Sequence, residues 1–106
     1  MIVMKTRYMR NLPDHWDTVA RVCIALGDSH RQRILLLFEP RERLNIKQIC
    51  EIAPLSRTAV SHHLRVLKKA GILKSEKEGK EVYFWIDKFF VKYALETLLD
   101  FVQHEY

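Results

Sequence analysis

Ser56-Arg57-Thr58-Ala59-Val60-Ser61-His62-His63-Leu64-Arg65-Val66-Leu67-Lys68-Lys69-Ala70-Gly71 separates at helical period into two stripes of opposite chemistry. Val60, Leu64 and Leu67 recur at i, i+4 and i+7, the spacing of a helix face packed on a core. Thr58, His62, Arg65 and Lys69 recur on the opposite face and bring donors and positive charge without an acid. A solvated surface helix ordinarily mixes Glu with Lys. This division instead points to a helix anchored on one side that offers groups to phosphates and base edges on the other.

The surrounding charge agrees. Arg57, Arg65, Lys68, Lys69 and Lys74 lie in a window without acidic residues that runs from Glu51 to Glu76. Elsewhere acids and bases interleave, as in Arg41-Glu42-Arg43 and Glu76-Lys77-Glu78. Part of the net charge of +5 is therefore concentrated on one segment, the electrostatic footprint of a nucleic-acid binder.

Outward from this helix the chain reads as alternating helices and turns. Pro13-Asp14 starts a first helix, with Trp16, Val19, Cys23 and Leu26 on one stripe and Val22, Ile24 and Ala25 widening it, and Gly27 ends it. Asp28 or Ser29 caps a second helix that runs through Phe38 and stops at Pro40. A third, short helix begins near Asn45, with Ile46, Ile49, Ile52 and Ala53 facing inward; Pro54-Leu55 makes the turn and Ser56 caps the fourth helix. Gly71 closes that helix in the left-handed conformation such ends favour. Residues 72–77 and 81–86 form a hairpin around Glu78-Gly79-Lys80, and Asp87 caps a last helix to about Gln103. The predicted fold is mainly α with a small β-hairpin, a winged helix-turn-helix in the order α-α-α-α-β-β-α.

With 106 residues and 48% apolar content the chain is expected to form a single domain over 13–106, preceded by an arm at 1–12. No apolar run approaches the ~20 residues that span a bilayer, and Met1 to Arg10 lacks a continuous apolar signal region, so a cytoplasmic protein is expected. The helices around 14–26 and 88–103 are apolar over more than one face. A domain this small cannot cover both, which predicts a symmetric homodimer through them. No nucleophile–base set, phosphate-binding Gly loop or convergent carboxylate pair is visible, so no enzyme activity and no cofactor are expected.

Leu26-Gly27-Asp28-Ser29-His30-Arg31-Gln32-Arg33-Ile34-Leu35, Ser56 to Leu73 and Glu78-Gly79-Lys80 to Tyr83 together resemble the ArsR/SmtB (arsenic-repressor) family of bacterial transcriptional repressors. The resemblance covers roughly residues 14 to 103 in consistent order. It implies a homodimer that represses transcription from a palindromic operator in double-stranded DNA until a signal weakens binding. Metal sensors of that family carry Cys-x-Cys before the turn, where this chain has Asn45 and Lys47. A second family metal site on the last helix corresponds to Asp87, Phe89, Asp100 and Gln103, of which only Asp87 is kept. No metal site is therefore expected.

The expected DNA face consists of Ser56, Arg57, Thr58, Ser61, His62, Arg65 and Lys69, with Lys77 and Lys80 on the wing. Thr58, Ser61 and His62 are candidates for base edges and Arg65 for bases or backbone. Arg57, Lys69, Lys77 and Lys80 suit phosphate, while Ser56 caps the helix. His63 sits at the margin of the apolar face, where it is expected to pack or bond to backbone. Tyr83 and Trp85 are expected to pack against a helix rather than stack on unpaired bases. Cys23 and Cys50 fall on apolar stripes and read as core residues; a thiol switch is the second reading, with Lys47 near Cys50 as its only support. A different class of function, a winged helix whose basic face meets an acidic protein, is the alternative to a repressor.

Overall fold

The computed structural model describes residues 8–106, so most of the expected arm at 1–12 lies outside the described residues. The elements are α1 (Asp14–Leu26), α2 (Ser29–Leu35), β1 (Leu44–Asn45), α3 (Ile46–Ile52), α4 (Arg57–Lys69), β2 (Leu73–Glu78), β3 (Glu81–Ile86) and α5 (Lys88–Glu105). The winged helix-turn-helix expected from the sequence is present, with helix starts where capping chemistry placed them. Asp28 accepts from the backbone N–H groups of His30 and Arg31, Ser56 from Ala59 at 3.1 Å, and Asp87 from Phe90 at 3.2 Å.

Several expectations are corrected. α2 does not run through Phe38; after Leu35 the chain tightens into successive i→i+3 bonds, Leu37 N to Ile34 O and Phe38 N to Leu35 O. The sheet has three strands in the order β1-β3-β2, because Leu44 and Asn45 pair antiparallel with Phe84 and Tyr83 before α3 begins. β1 is only two residues long, and Asn45 both ends it and caps α3. Its side chain accepts from Gln48 N while the Gln48 side chain accepts from Asn45 N, a reciprocal capping box. The Arg43 guanidinium lies 4.1 Å above the Trp85 ring.

The core joins α1, α2, α3, α4, the sheet and α5 through Val22, Ile34, Ile49, Leu64, Leu67, Ile72, Phe84 and Ala94. On α1 the buried stripe is Val19, Val22 and Ala25, not the one through Cys23. The wide apolar arc of that helix admits either rotation, and packing selected the one that leaves Cys23 and Ile24 exposed. Ile52, expected inside, is exposed at the end of α3.

Gly71 sits at φ +88° under α5, where an added Cβ would lie 2.7 Å from Phe90 Cε2. Gly79 at the wing tip has φ +63°, and nothing lies within 4 Å of its missing Cβ. Gly71→Ala is therefore expected to lower stability in urea denaturation by about 2 kcal/mol or more, against about 1 kcal/mol for Gly79→Ala. The difference measures the α4–α5 closure.

Candidate nucleic-acid interface

α4 is fixed from behind. Val60, Leu64 and Leu67 have relative exposures of 0%, 1% and 0%, so this face is wholly inside the core. With that face fixed, rotation about the helix axis is no longer free, and the opposite stripe must face solvent. Arg57, Thr58, Ser61, His62 and Arg65 line one shallow depression there, which brings five of the nine expected DNA residues together. Ser56 stands at its N-terminal edge and is used as the cap. Lys69 is exposed in the last turn, beyond the depression. Lys77 and Lys80 are exposed on either side of the wing tip at Gly79.

Charge on this face is uncompensated. Among the described residues, Arg57, Arg65, Lys69, Lys77 and Lys80 form no ion pair with an acid. Two bases off this face are engaged. Lys74 Nζ lies 3.4 Å from Asp87, and Arg43 Nη1 bridges Glu76 at 3.1 Å and Glu78 at 3.2 Å while its plane covers Trp85. Sequence reading missed this role of Arg43. It ties the β1 edge to the wing and offsets part of the charge of two of the three wing acids, Glu81 remaining unpaired among the described residues. The only sequence signal was the Arg41-Glu42-Arg43 run, which looks like an ordinary solvated connection.

A second arginine sets the approach of α2 to α4. Arg31 Nε donates to Ala25 O at 2.7 Å and Nη2 to Ile24 O at 3.3 Å, satisfying carbonyls at the end of α1. Its Nη1 lies 3.4 Å from His63 Nδ1, so His63 is held by a side chain rather than by backbone. The His63 ring is 5.6 Å from that of His62 and 6.0 Å from that of His30, and His62 alone of the adjacent pair is exposed. The Arg31 backbone N–H, followed by that of His30, holds the Asp28 carboxyl below its usual value against some desolvation. Desolvation pushes the His63 imidazole below its ordinary value, with Arg31, His62 and His30 adding to the shift and Asp28 opposing it.

At the positions of the family's two metal sites, Asn45 and Asp87 are occupied by other contacts. Asn45 is 7% exposed and engaged in its capping box, while Asp87 is divided between the α5 cap and Lys74. No group of three or more His, Cys, Asp or Glu side chains suited to an ion occurs among the described residues. Cys23 is exposed and Cys50 half-buried, so the core reading of Cys23 is overturned.

Residues 28–75 match the family described as bacterial regulatory protein, arsR family. An uncharacterized HTH-type transcriptional regulator of Methanocaldococcus jannaschii is 33% identical over 73 residues, covering 69% of this chain and 82% of that protein. This chain belongs to the ArsR family. A cadmium resistance transcriptional regulatory protein CadC homolog of Staphylococcus aureus is 40% identical over 78 residues, 74% of this chain; the match spans 64% of that relative. Among solved structures, an ArsR-like transcriptional regulator from Rhodococcus superposes with a TM-score of 0.78 at 25% identity, covering 86% of this chain and 85% of that one. The homodimeric winged helix-turn-helix DNA-binding domain of a possible ArsR-family regulator from Mycobacterium bovis, at 24% identity, shares the fold with a TM-score of 0.69 over 95% of this chain and 93% of that one. The ArsR family consists of transcriptional regulators, not enzymes.

The His63 contact carries a pH dependence with a defined sign. Above about pH 6.5, the ordinary imidazole value, both folded and unfolded chains hold His63 neutral, and its contribution to stability is complete. As the pH falls below that value the unfolded chain binds a proton that the folded chain resists, and stability declines until the folded value is passed. His63→Gln is expected to flatten the fall of unfolding free energy just below about pH 6.5, measured in urea at a series of pH values. Asp28 acts in a separate window, below the ordinary carboxylate value, and leaves that comparison intact.

Proposed function

We propose that this chain is a sequence-specific repressor that binds a palindromic operator in double-stranded DNA as a homodimer, and that it does so without the metal sites of its best-known relatives. The observation that carries this reading is the face of α4: its arginines and Lys69 have no acidic partner, while Arg43 and Lys74, beside the face, are paired within the chain. Charge left unpaired on one convex helix suits a phosphate backbone, whose condensed counterions are released on contact. Thr58, Ser61, His62 and Arg65 then lie toward base edges in the major groove, and Lys77 and Lys80 reach flanking phosphates. The solvated tip of the wing supports the latter role, since Arg43 reduces the repulsion that Glu76 and Glu78 would exert.

The dimer rests on unpartnered apolar surface. Trp16 of α1 meets Phe101 of α5 edge-on, with ring centroids 5.1 Å apart, so the two helices form one composite surface. Leu12, Ile24, Leu95, Leu99 and Val102 are exposed on or beside it. The homodimeric relative from Mycobacterium bovis supports an assembly of this kind. Two copies place their α4 helices for half-sites about 34 Å apart. The cadmium response for which the Staphylococcus relative is named is not carried over, because Asn45 and Lys47 offer no soft ligands.

The test is a titration against the duplex upstream of the chain's own gene across a salt series, with scrambled duplex as competitor. A repressor keeps orders of magnitude of preference; weak, sequence-blind binding would favour a protein-interaction module instead. Arg57→Ala and Lys69→Ala are each expected to weaken binding to all sequences and to reduce the log–log salt slope by about 1. His62→Ala is expected to change preference at one base position by about 1–3 kcal/mol. Light scattering on Leu99→Lys should show a monomer, with a matching loss of operator affinity; a dimer that persists would place the interface elsewhere.

A further inference from the structure

His30, Arg33, Ile34 and Leu37 stand at i, i+3, i+4 and i+7 and form one wall of a recess. The turn between α3 and α4 forms the other wall through Ile52, Ala53, Pro54 and Leu55, and the cavity measures about 160 Å³. His30 and Arg33 are its only polar side chains, and no acid lines it. Among the described residues Arg33 makes no ion pair and no side-chain hydrogen bond. Arg31, two positions earlier on the same helix, shows the contrast, since its guanidinium is engaged by Ala25, Ile24 and His63. Ile52 is 63% exposed beside the recess, so aliphatic surface there is wetted and available to a ligand.

Size narrows the ligand. A cavity of roughly 150 Å³ with aliphatic and aromatic walls holds one benzene molecule, so a single six-membered ring fills this recess. A ring alone would leave the cationic rim unused; a ring bearing a carboxylate meets both the wall and the rim. We infer that the recess is a binding site for a small apolar carboxylate of benzoate size, with its ring between α2 and the turn and its carboxylate at Arg33 and His30. The rim is open to water, so the ion pair adds little and Kd is about 1 mM. The site backs onto the turn that leads into α4, yet it stands independently of the DNA reading, and its test contains no duplex.

The experiment is an amide NMR titration of the uniformly ¹⁵N-labelled chain with sodium benzoate, and separately with benzyl alcohol, which has the same ring without the charge. Saturable shifts clustered at residues 30–37 and 52–55 are expected, with benzyl alcohol several-fold weaker. Arg33→Gln, an exposed substitution that should not disturb folding, is expected to weaken benzoate about threefold and leave benzyl alcohol unchanged. No saturable shift up to about 20 mM, some twenty times the expected Kd, would overturn the assignment. So would shifts centred on the basic face of α4, or benzoate binding that survives Arg33→Gln intact.

Discussion

The burial of three side chains, Val60, Leu64 and Leu67, fixes which side of α4 this protein can present to a partner. A helix is a cylinder, and without such a clamp its polar stripe could point anywhere. With the clamp in place, the α2 and α3 contacts on one side and β2 on the other set the rotation of α4 within the core. Each buried aliphatic side chain supplies about 1.5–3 kcal/mol of transfer free energy, so turning the polar face inward would forfeit several such terms and bury unpaired cations as well.

The second principle of the architecture is the sorting of charge. Arg31 is taken up by carbonyls at the end of α1 and by His63, Arg43 by the wing acids and Trp85, and Lys74 by Asp87. These contacts are partly or largely exposed, and individually they contribute little stability. Their effect is to consume three basic groups around the edge of the interface, while those of α4 and the wing tip stay free of acidic partners. The net charge of +5 becomes a directed field rather than a diffuse one.

Much of this was legible in the sequence because it depends on local rules. Helix starts follow from side-chain caps at Asp28, Ser56 and Asp87, and the end of α4 from Gly71, whose left-handed backbone is strained for any residue with a Cβ. The two stripes of α4 follow from period alone. What escaped depends on contacts between distant segments. β1 is a two-residue strand with no pattern of its own, and only pairing with β3 reveals it. Arg43 and Glu76 are 33 positions apart, as are Arg31 and His63 by 32, and no spacing rule joins them. The stripe on α1 was misassigned because its apolar arc is too wide for periodicity to choose a centre. The same excess of apolar surface is what leaves Ile24 exposed.

The account as a whole depends on which side of α4 meets nucleic acid. The most direct measurement is a crystal or NMR structure of the chain bound to its upstream duplex, read at Thr58, Ser61, His62 and Arg65. The account predicts these side chains in the major groove, with Val60, Leu64 and Leu67 still inside the protein. A complex in which the duplex lies against α1 and α5, or in which those four side chains remain in solvent, would contradict it.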